Sequence, residues 1–382
     1  MKSSYVHLAI LLTFVCEPAS RCFGQLSDMQ TAFSQGAAGH QNIFVYIHAS
    51  WCTPCRELER SVLPSPSVQD SLKNYIFLSL SLDESDDGKV LAKKYGITYV
   101  PSFLLLSPEH YLLQYTTGVA VDTSSFLQLL SSYRKNGSIK GFSNEMSMKY
   151  PDFYENYFTA FPRQTPDTLL AIQYLNIHRD WQDEVSFNIM SNMWVGRRYI
   201  SYFLDHENAY YEKYGILYYD RVYQAYHSFM NTQIIKHKDT ALYKLFDKVL
   251  SSIDSIRGYD KSRLSQFRYI GFLAGTGVNW HQYIDVVTSY TEKYGTQSLR
   301  GFCEDIYRTC TDTSVCRIMS QRLAKYLASG QDQNENAYLV LAILLHKAGI
   351  GQDAVNAYRT ALKFPVGEEK RKYLQDQWLK YQ

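Results

Sequence analysis

Apolar runs of strand length alternate with helical stretches over residues 26–133, and after Asn136-Gly137-Ser138 the strand signal stops. A chain patterned in this way divides into an α/β part and an all-α part. Asn42-Ile-Phe-Val-Tyr-Ile-His48 is uninterrupted and apolar, as expected of a strand covered on both faces. Residues 75–82 and 102–106 read as further strands, and 111–115 pairs with the latter across Pro108-Glu-His. Between them, Asp28 caps a helix toward Gln35 that Gly36 and Gly39 end. A second helix runs on from Cys55 until Pro64 and Pro66 break it, a third covers 89–95 and stops at Gly96, and Asp122 caps a last one through Tyr133. This order predicts a mixed sheet flanked by helices over residues 25–137.

Residues 138–382 carry Tyr, Leu and Ile at helical spacing, with helix starts at Thr165-Pro-Asp, Lys238-Asp-Thr and Gly351-Gln-Asp; Thr165 is expected to cap, with Pro166 in the first turn. In residues 337–364 small and large side chains alternate (Ala337, Leu341, Ala342, Leu345, Gly349, Ala354, Tyr358, Ala361), which lets two antiparallel helices approach closely. That pair resembles a tetratricopeptide-type unit, whereas the preceding helices match such a repeat poorly, so the expectation is an irregular α-solenoid or bundle. Of the 33 tyrosines, 25 follow Gly137, and they serve either helix seams or a recognition surface. Tyr210-Tyr211 and Tyr218-Tyr219 are neighbours that point in different directions along a helix, so these cannot all be core.

Lys2 followed by the short apolar run from Leu8 to Val15 has the order of a signal peptide over residues 1–24, with small residues for cleavage at Ser20 or Gly24. Neither Cys16 nor Cys22 follows a small residue, which argues against a lipid anchor, and no later segment is long and apolar enough to span a bilayer. The mature chain is therefore expected to be exported and free of membrane spans. Thirty-nine Lys and Arg against 37 Asp and Glu, without a run of like charge, argue against a nucleic-acid partner.

Export makes the cysteines chemically informative. In Trp51-Cys-Thr-Pro-Cys55 the pair follows a strand and opens a helix, where unpaired N–H groups and the helix dipole favour a thiolate. Cys52 is placed to attack a disulfide and Cys55, one turn on, to resolve the mixed disulfide, with Thr53-Pro54 stiffening the turn. A metal reading needs two further ligands, and His48 alone is near, so no metal and no cofactor beyond the cysteine pair is expected. His206-Glu207 lacks a second histidine, Tyr210 standing there, and Gly275-Thr-Gly277 lacks its third glycine at Trp280. His178, His227, His237, His281 and His346 are isolated. Far from the pair, Thr311-Asp-Thr-Ser breaks a helix and can fold Cys316 back on Cys310, predicting a Cys310–Cys316 disulfide with Cys303 packed as a small hydrophobe.

A second element joins the first: Val100-Pro101 heads the strong strand Ser102-Phe-Leu-Leu-Leu, a position proline rarely takes in a central strand. Together with the Trp-Cys-x-x-Cys turn, it makes residues 25–135 similar to the thioredoxin fold. The resemblance implies that Pro101 is cis and faces the redox pair, that Val100 and Pro101 wall an extended substrate segment, that Trp51 packs beside the cysteines, and that Gly118 follows the last strand. It implies Cys52 as nucleophile and Cys55 as resolving cysteine. Where thioredoxins carry a buried aspartate and its lysine partner, this chain has Tyr46 and Ser79, so help in deprotonating Cys55 falls to Glu57, Glu59 or water.

The expected function is an exported thiol-disulfide oxidoreductase of the periplasm or cell envelope. It acts on a protein thiol or disulfide, is reset by a redox partner protein, and has a helical domain that selects or docks the partner. The alternative is a helical binding or scaffold protein whose first domain is structural or redox-sensing.

Overall fold

The structure, a computed structural model, describes residues 25–118, 122–133, 139–159, 165–193, 195–277 and 279–381. The expected signal peptide at 1–24, with Cys16 and Cys22, and the Asn136-Gly137-Ser138 junction lie outside the described residues. No helix among the described residues is long and apolar enough to cross a membrane.

The first part runs α1 (Met29–Gly39), β1 (Ile43–His48), α2 (Thr53–Glu57), α3 (Pro66–Leu72), β2 (Ile76–Ser81), α4 (Asp86–Tyr95), β3 (Ser102–Leu106), β4 (Leu112–Thr117) and α5 (Thr123–Tyr133). The strands form one mixed sheet in the order β2-β1-β3-β4, with β1 parallel to β2 and antiparallel to β3. A parallel neighbour needs a crossover, and the segment carrying α2 and α3 supplies it. Central β1 is buried along almost its whole length, which is why its sequence is a continuous apolar run rather than an alternation. Behind it, Phe44 meets the rings of Phe103, Phe126 and Tyr133 at centroid distances of 5.8, 6.0 and 5.9 Å.

Three local expectations are corrected. α1 does not stop at Gly36 but continues to Gly39 and is closed by His40 at φ 49°; a Cβ on Gly36 would lie 3.0 Å from Ile43, so this glycine marks the close approach of α1 to β1. Pro66 begins α3 instead of only breaking a helix, because the first helical position needs no N–H. Asp167, not Thr165, caps α7 (Thr168–Ile177), its carboxylate accepting the Leu170 N–H at 3.0 Å.

The compact unit that holds the sheet does not close at residue 137 but continues through Ile189 and takes in Glu212–Leu217. α6 (Asp152–Thr159) packs on α4. Lys94 of α4 is fully buried, and its Nζ meets Glu184 Oε1 at 2.8 Å, Ser143 Oγ at 3.1 Å and the Glu145 carbonyl at 3.0 Å. Glu184 also accepts the Tyr150 hydroxyl at 2.6 Å and the Ser143 N–H at 2.8 Å, so both members of this buried ion pair are fully bonded.

The second unit comprises Met190–Tyr211 and residues from Tyr218 onward, and is helical throughout its described residues. In chain order the helices after α7 are α8 (Glu184–Asn192), α9 (Arg197–Asp205), α10 (Glu207–Tyr214), α11 (Ile216–Phe229), α12 (Thr240–Ile256), α13 (Lys261–Thr276), α14 (Trp280–Tyr294), α15 (Leu299–Thr309), α16 (Thr313–Ala328), α17 (Glu335–Lys347), α18 (Gly351–Ala361) and α19 (Glu368–Tyr381). α17 and α18 form the close pair anticipated for 337–364, with Ala337, Ala342, Ala354 and Ala361 all buried. Arg268 ties α13 to α12 through Asp247 at 2.7 Å and Asp254 at 2.8 Å. The adjacent tyrosines divide unevenly: Tyr210, Tyr218 and Tyr219 are buried while Tyr211 is 42% exposed. Cys303, Cys310 and Cys316 are buried free thiols, so the expected Cys310–Cys316 disulfide is not formed; Cys310 caps the C-terminus of α15 and Cys316 lies in the opening turns of α16.

Candidate functional site

β1 ends at His48, and Ala49-Ser50-Trp51 turns the chain so that Cys52 becomes the N-cap of α2. The Cys52 N–H bonds the Ala49 carbonyl at 3.1 Å, and the Cys52 sulfur accepts the Cys55 N–H at 3.1 Å. The sulfur thus takes the role an N-cap oxygen plays elsewhere, at the positive end of the helix. Cys52 and Cys55 are disulfide-bonded, with Cα atoms 5.2 Å apart. Cys52 is 3% and Cys55 1% exposed, but Trp51 is 51% exposed and Thr53 and Pro54 also face solvent, so the bond lies just beneath an open rim.

Two polar braces hold the turn. Ser50 donates from its hydroxyl to Asp83 at 2.6 Å and from its N–H at 3.3 Å, and Ser81 adds a bond to the same carboxylate at 2.7 Å. Burial raises the Asp83 pKa, but these bonds outweigh it and hold the carboxyl below its ordinary range. Arg56 reaches back over the turn to the Ser50 carbonyl at 2.8 Å and the Thr53 hydroxyl at 3.0 Å, so that one guanidinium ties together residues that flank Cys52 in the chain. Neither brace is anticipated by the motif alone; the signal was the polar Ser81-Leu-Asp83 ending of β2, at the same end of the sheet as the cysteines.

Below the pair, Tyr46 and Ser79 are register partners across β1 and β2. The Tyr46 hydroxyl donates to Glu59 at 3.0 Å and lies 3.5 Å from the Cys55 carbonyl, and His48 Nδ1 is 3.7 Å from the same Glu59 oxygen. Burial and the adjacent Glu59 carboxylate push the Tyr46 phenol far above its usual pKa, so it stays a proton donor. Glu59 reaches this place because α2 widens into a π turn over Leu58–Val62, with the Leu63 N–H bonding Leu58 O at 2.9 Å. Glu57 instead pairs with Arg60 at 2.8 Å.

The Val100–Pro101 peptide bond is cis. Ser102 opposes Ile47 in the β1–β3 ladder, so Pro101 stands at the level of His48, at the end of the sheet from which the Cys52 turn leaves. Gly118, at φ 64°, donates its N–H to the Pro101 carbonyl at 2.9 Å. Cys310 and Cys316 belong to the second unit. No cluster of His, Cys, Asp and Glu able to hold a metal occurs among the described residues.

Residues 25–108 match the family model described as Thioredoxin-like. The chain is 30% identical over 112 residues to the thiol:disulfide interchange protein DsbD of Pseudomonas fluorescens, a match covering 28% of this chain and 19% of that protein. It is 29% identical over 84 residues to thioredoxin H2 of Arabidopsis thaliana, covering 22% of this chain and 59% of that one. A solved thioredoxin from Thermus thermophilus matches at 24% identity and a TM-score of 0.26, covering 28% of this chain and 85% of its own. The chain spans less than two thirds of the length of each of these curated relatives.

Proposed function

We propose that this chain, whose residues 25–108 are a thioredoxin-like domain, is a thiol-disulfide oxidoreductase acting on a protein partner through Cys52 and Cys55. The observation that carries the reading is the Cys52 sulfur at the N-cap of α2, accepting the Cys55 N–H. In the reduced chain the same N–H, the helix terminus and Arg56 favour the Cys52 thiolate. That thiolate attacks one sulfur of a substrate disulfide and expels the other as a thiolate. Cys55 then loses its proton, attacks the Cys52 sulfur and releases the second substrate thiol, leaving the Cys52–Cys55 bond with two electrons passed to the substrate. Glu59, held through Tyr46 against the Cys55 backbone, is the proposed acceptor of that proton.

Val100 and Pro101 form the proposed wall for an extended substrate segment, with Trp51 and Thr53-Pro54 as its rim. The helices after residue 138 select or dock the partner; the exposed Tyr211, Tyr223 and Tyr259 offer amphipathic contact area for this. The order of charge, apolar run and small residues at the N-terminus supports export, and the DsbD name of a relative fits work in the periplasm or envelope alongside a redox partner protein. The low exposure of both sulfurs favours a second reading, a helical binding protein whose first domain holds an inert bridge. Cys55→Ser separates them: an oxidoreductase accumulates dithiothreitol-sensitive adducts through Cys52 in its native compartment. A variant whose Cys52 alkylates freely yet captures no protein overturns the reading.

A further inference from the structure

β1 is buried from Ile43 to Ile47, and its last residue, His48, is the one that reaches water, with 27% of its side chain exposed. Its ring stacks on Tyr46 at a centroid distance of 5.2 Å and an interplanar angle of 28°. His48 Nδ1 lies 3.7 Å from Glu59 Oε1, the same oxygen that accepts the Tyr46 hydroxyl at 3.0 Å. Contacts of this length in a substrate-free site commonly tighten when substrate closes it. Glu59 stands four residues after Cys55 on the continuous helical segment, which brings the two to one face. Among the described residues Glu59 is the one carboxylate that the His48 ring meets. On β2 its register partner is the neutral Ser81, whose hydroxyl, with that of Ser50, engages the Asp83 carboxylate. Pro101, level with His48 at the head of β3, carries no charge, and Arg56 is engaged by the Ser50 carbonyl and the Thr53 hydroxyl.

We propose that His48 is a positioning residue for the resolving step, taking over, through Glu59, the proton that Cys55 gives up; this role rests on Cys52 and Cys55 being an exchanging pair. A carboxylate alone is a weak acceptor for a thiol proton near neutral pH, whereas an imidazole is the side chain that gains and loses its proton there. As Cys55 attacks, its S–H bond breaks, and the proton passes to the Glu59 carboxylate and on to Nδ1 of the neutral ring, whose own hydrogen is on Nε2. The electron pair left on the Cys55 sulfur forms the bond to Cys52, and the substrate sulfur departs with the pair of the broken mixed disulfide. An imidazolium then faces a restored carboxylate, an arrangement that favours the charged ring. Being partly exposed, His48 returns the proton to water, from which the substrate thiolate takes one up.

The test mixes the reduced full chain with dithiobis-nitrobenzoate in a stopped-flow cell. Cys52 releases one coloured thiolate as it attacks and Cys55 a second as it resolves; Cys55→Ser, which should lack the second release, identifies it. In the native chain the second rate should climb with pH and level off once the ring is neutral. His48→Gln should remove that climb and lower the plateau ~10-fold, the Brønsted loss for two acceptors whose reference basicities differ by about two pK units. Adding His48→Gln to Glu59→Gln should slow resolution no further, because the ring works through that carboxylate. In His48→Ala, free imidazole should restore the rate, and pyrazole, of the same shape but barely basic, should not; a merely structural place for the ring would let both fill it. An identical rate and pH profile in the native chain and His48→Gln, equal rescue by the two azoles, or additive slowing in the double variant overturns this role alone. A native chain without a second release overturns it together with the oxidoreductase reading.

Discussion

Tyr46 occupies the sheet position at which thioredoxins carry a buried aspartate, and its hydroxyl shifts the carboxylate of the site outward to Glu59. A phenol can stay buried without charge, whereas an aspartate there would need a partner that Ser79 cannot supply. Glu59→Gln is expected to slow resolution of the Cys52 mixed disulfide by ~100-fold, the lower range for loss of a general base, while the alkylation rate of Cys52 stays close to that of the native chain. Stopped-flow measurement of the two steps checks this. Asp83 carries the second prediction. Its carboxyl titrates lower in the folded chain than in the unfolded one, so its contribution to stability is complete above the ordinary carboxylate pKa and is lost as pH falls through the depressed folded value. Urea midpoints of the native chain and Asp83→Asn should accordingly differ at neutral pH and converge in acid; a constant gap would disprove the assignment.

At the scale of elements, the crossover between β1 and β2 illustrates what periodicity can and cannot show. The start of α2 was legible from its cysteines and proline, yet the π turn over Leu58–Val62 has no pattern of its own, because it depends on Leu58 and Val62 packing inward while Glu59 meets Tyr46. α4 was legible from Lys89 to Tyr95 but starts earlier, at Asp86, with Ser85 as its cap. Its Gly88 is pressed onto β2: a Cβ there would stand 2.1 Å from the Ser81 carbonyl. Gly88→Ala must push the helix off the strand that carries the Asp83 brace, and the expected cost is ~1–3 kcal/mol, as for overpacking elsewhere. Chemical denaturation measures it; an unchanged midpoint would show that α4 yields without cost.

At the scale of the molecule, the buried Lys94–Glu184 pair joins α4 to residues far along the chain and extends the sheet's unit to Ile189. Lys94→Met should leave Glu184 buried without its counter-charge and destabilise this unit by ~3–5 kcal/mol, whereas Lys94→Met combined with Glu184→Leu should recover much of that loss. Comparing the urea transitions of the three chains decides the matter, since a surface pair would show neither the loss nor the recovery. A fragment ending at residue 137 lacks Ser143, Tyr150 and Glu184 and would expose Lys94 and Tyr95, so it is expected to melt less cooperatively than the full chain.

What the sequence by itself determined here is local. Strand and helix order, the cysteine pair at a strand-to-helix turn, the proline heading β3 and the helical nature of the second half all follow from side-chain periodicity and backbone restrictions within a few residues. Tertiary structure decided where partners are remote. Lys94 reads as one of two solvated lysines at the end of α4, and only the arrival of Glu184, ninety residues later, makes it a core residue. The Tyr46–Glu59 bond and the Asp83 brace share that origin. In each, a polar group's role is set by which partner replaces its water, and that choice is made by packing rather than by neighbours along the chain.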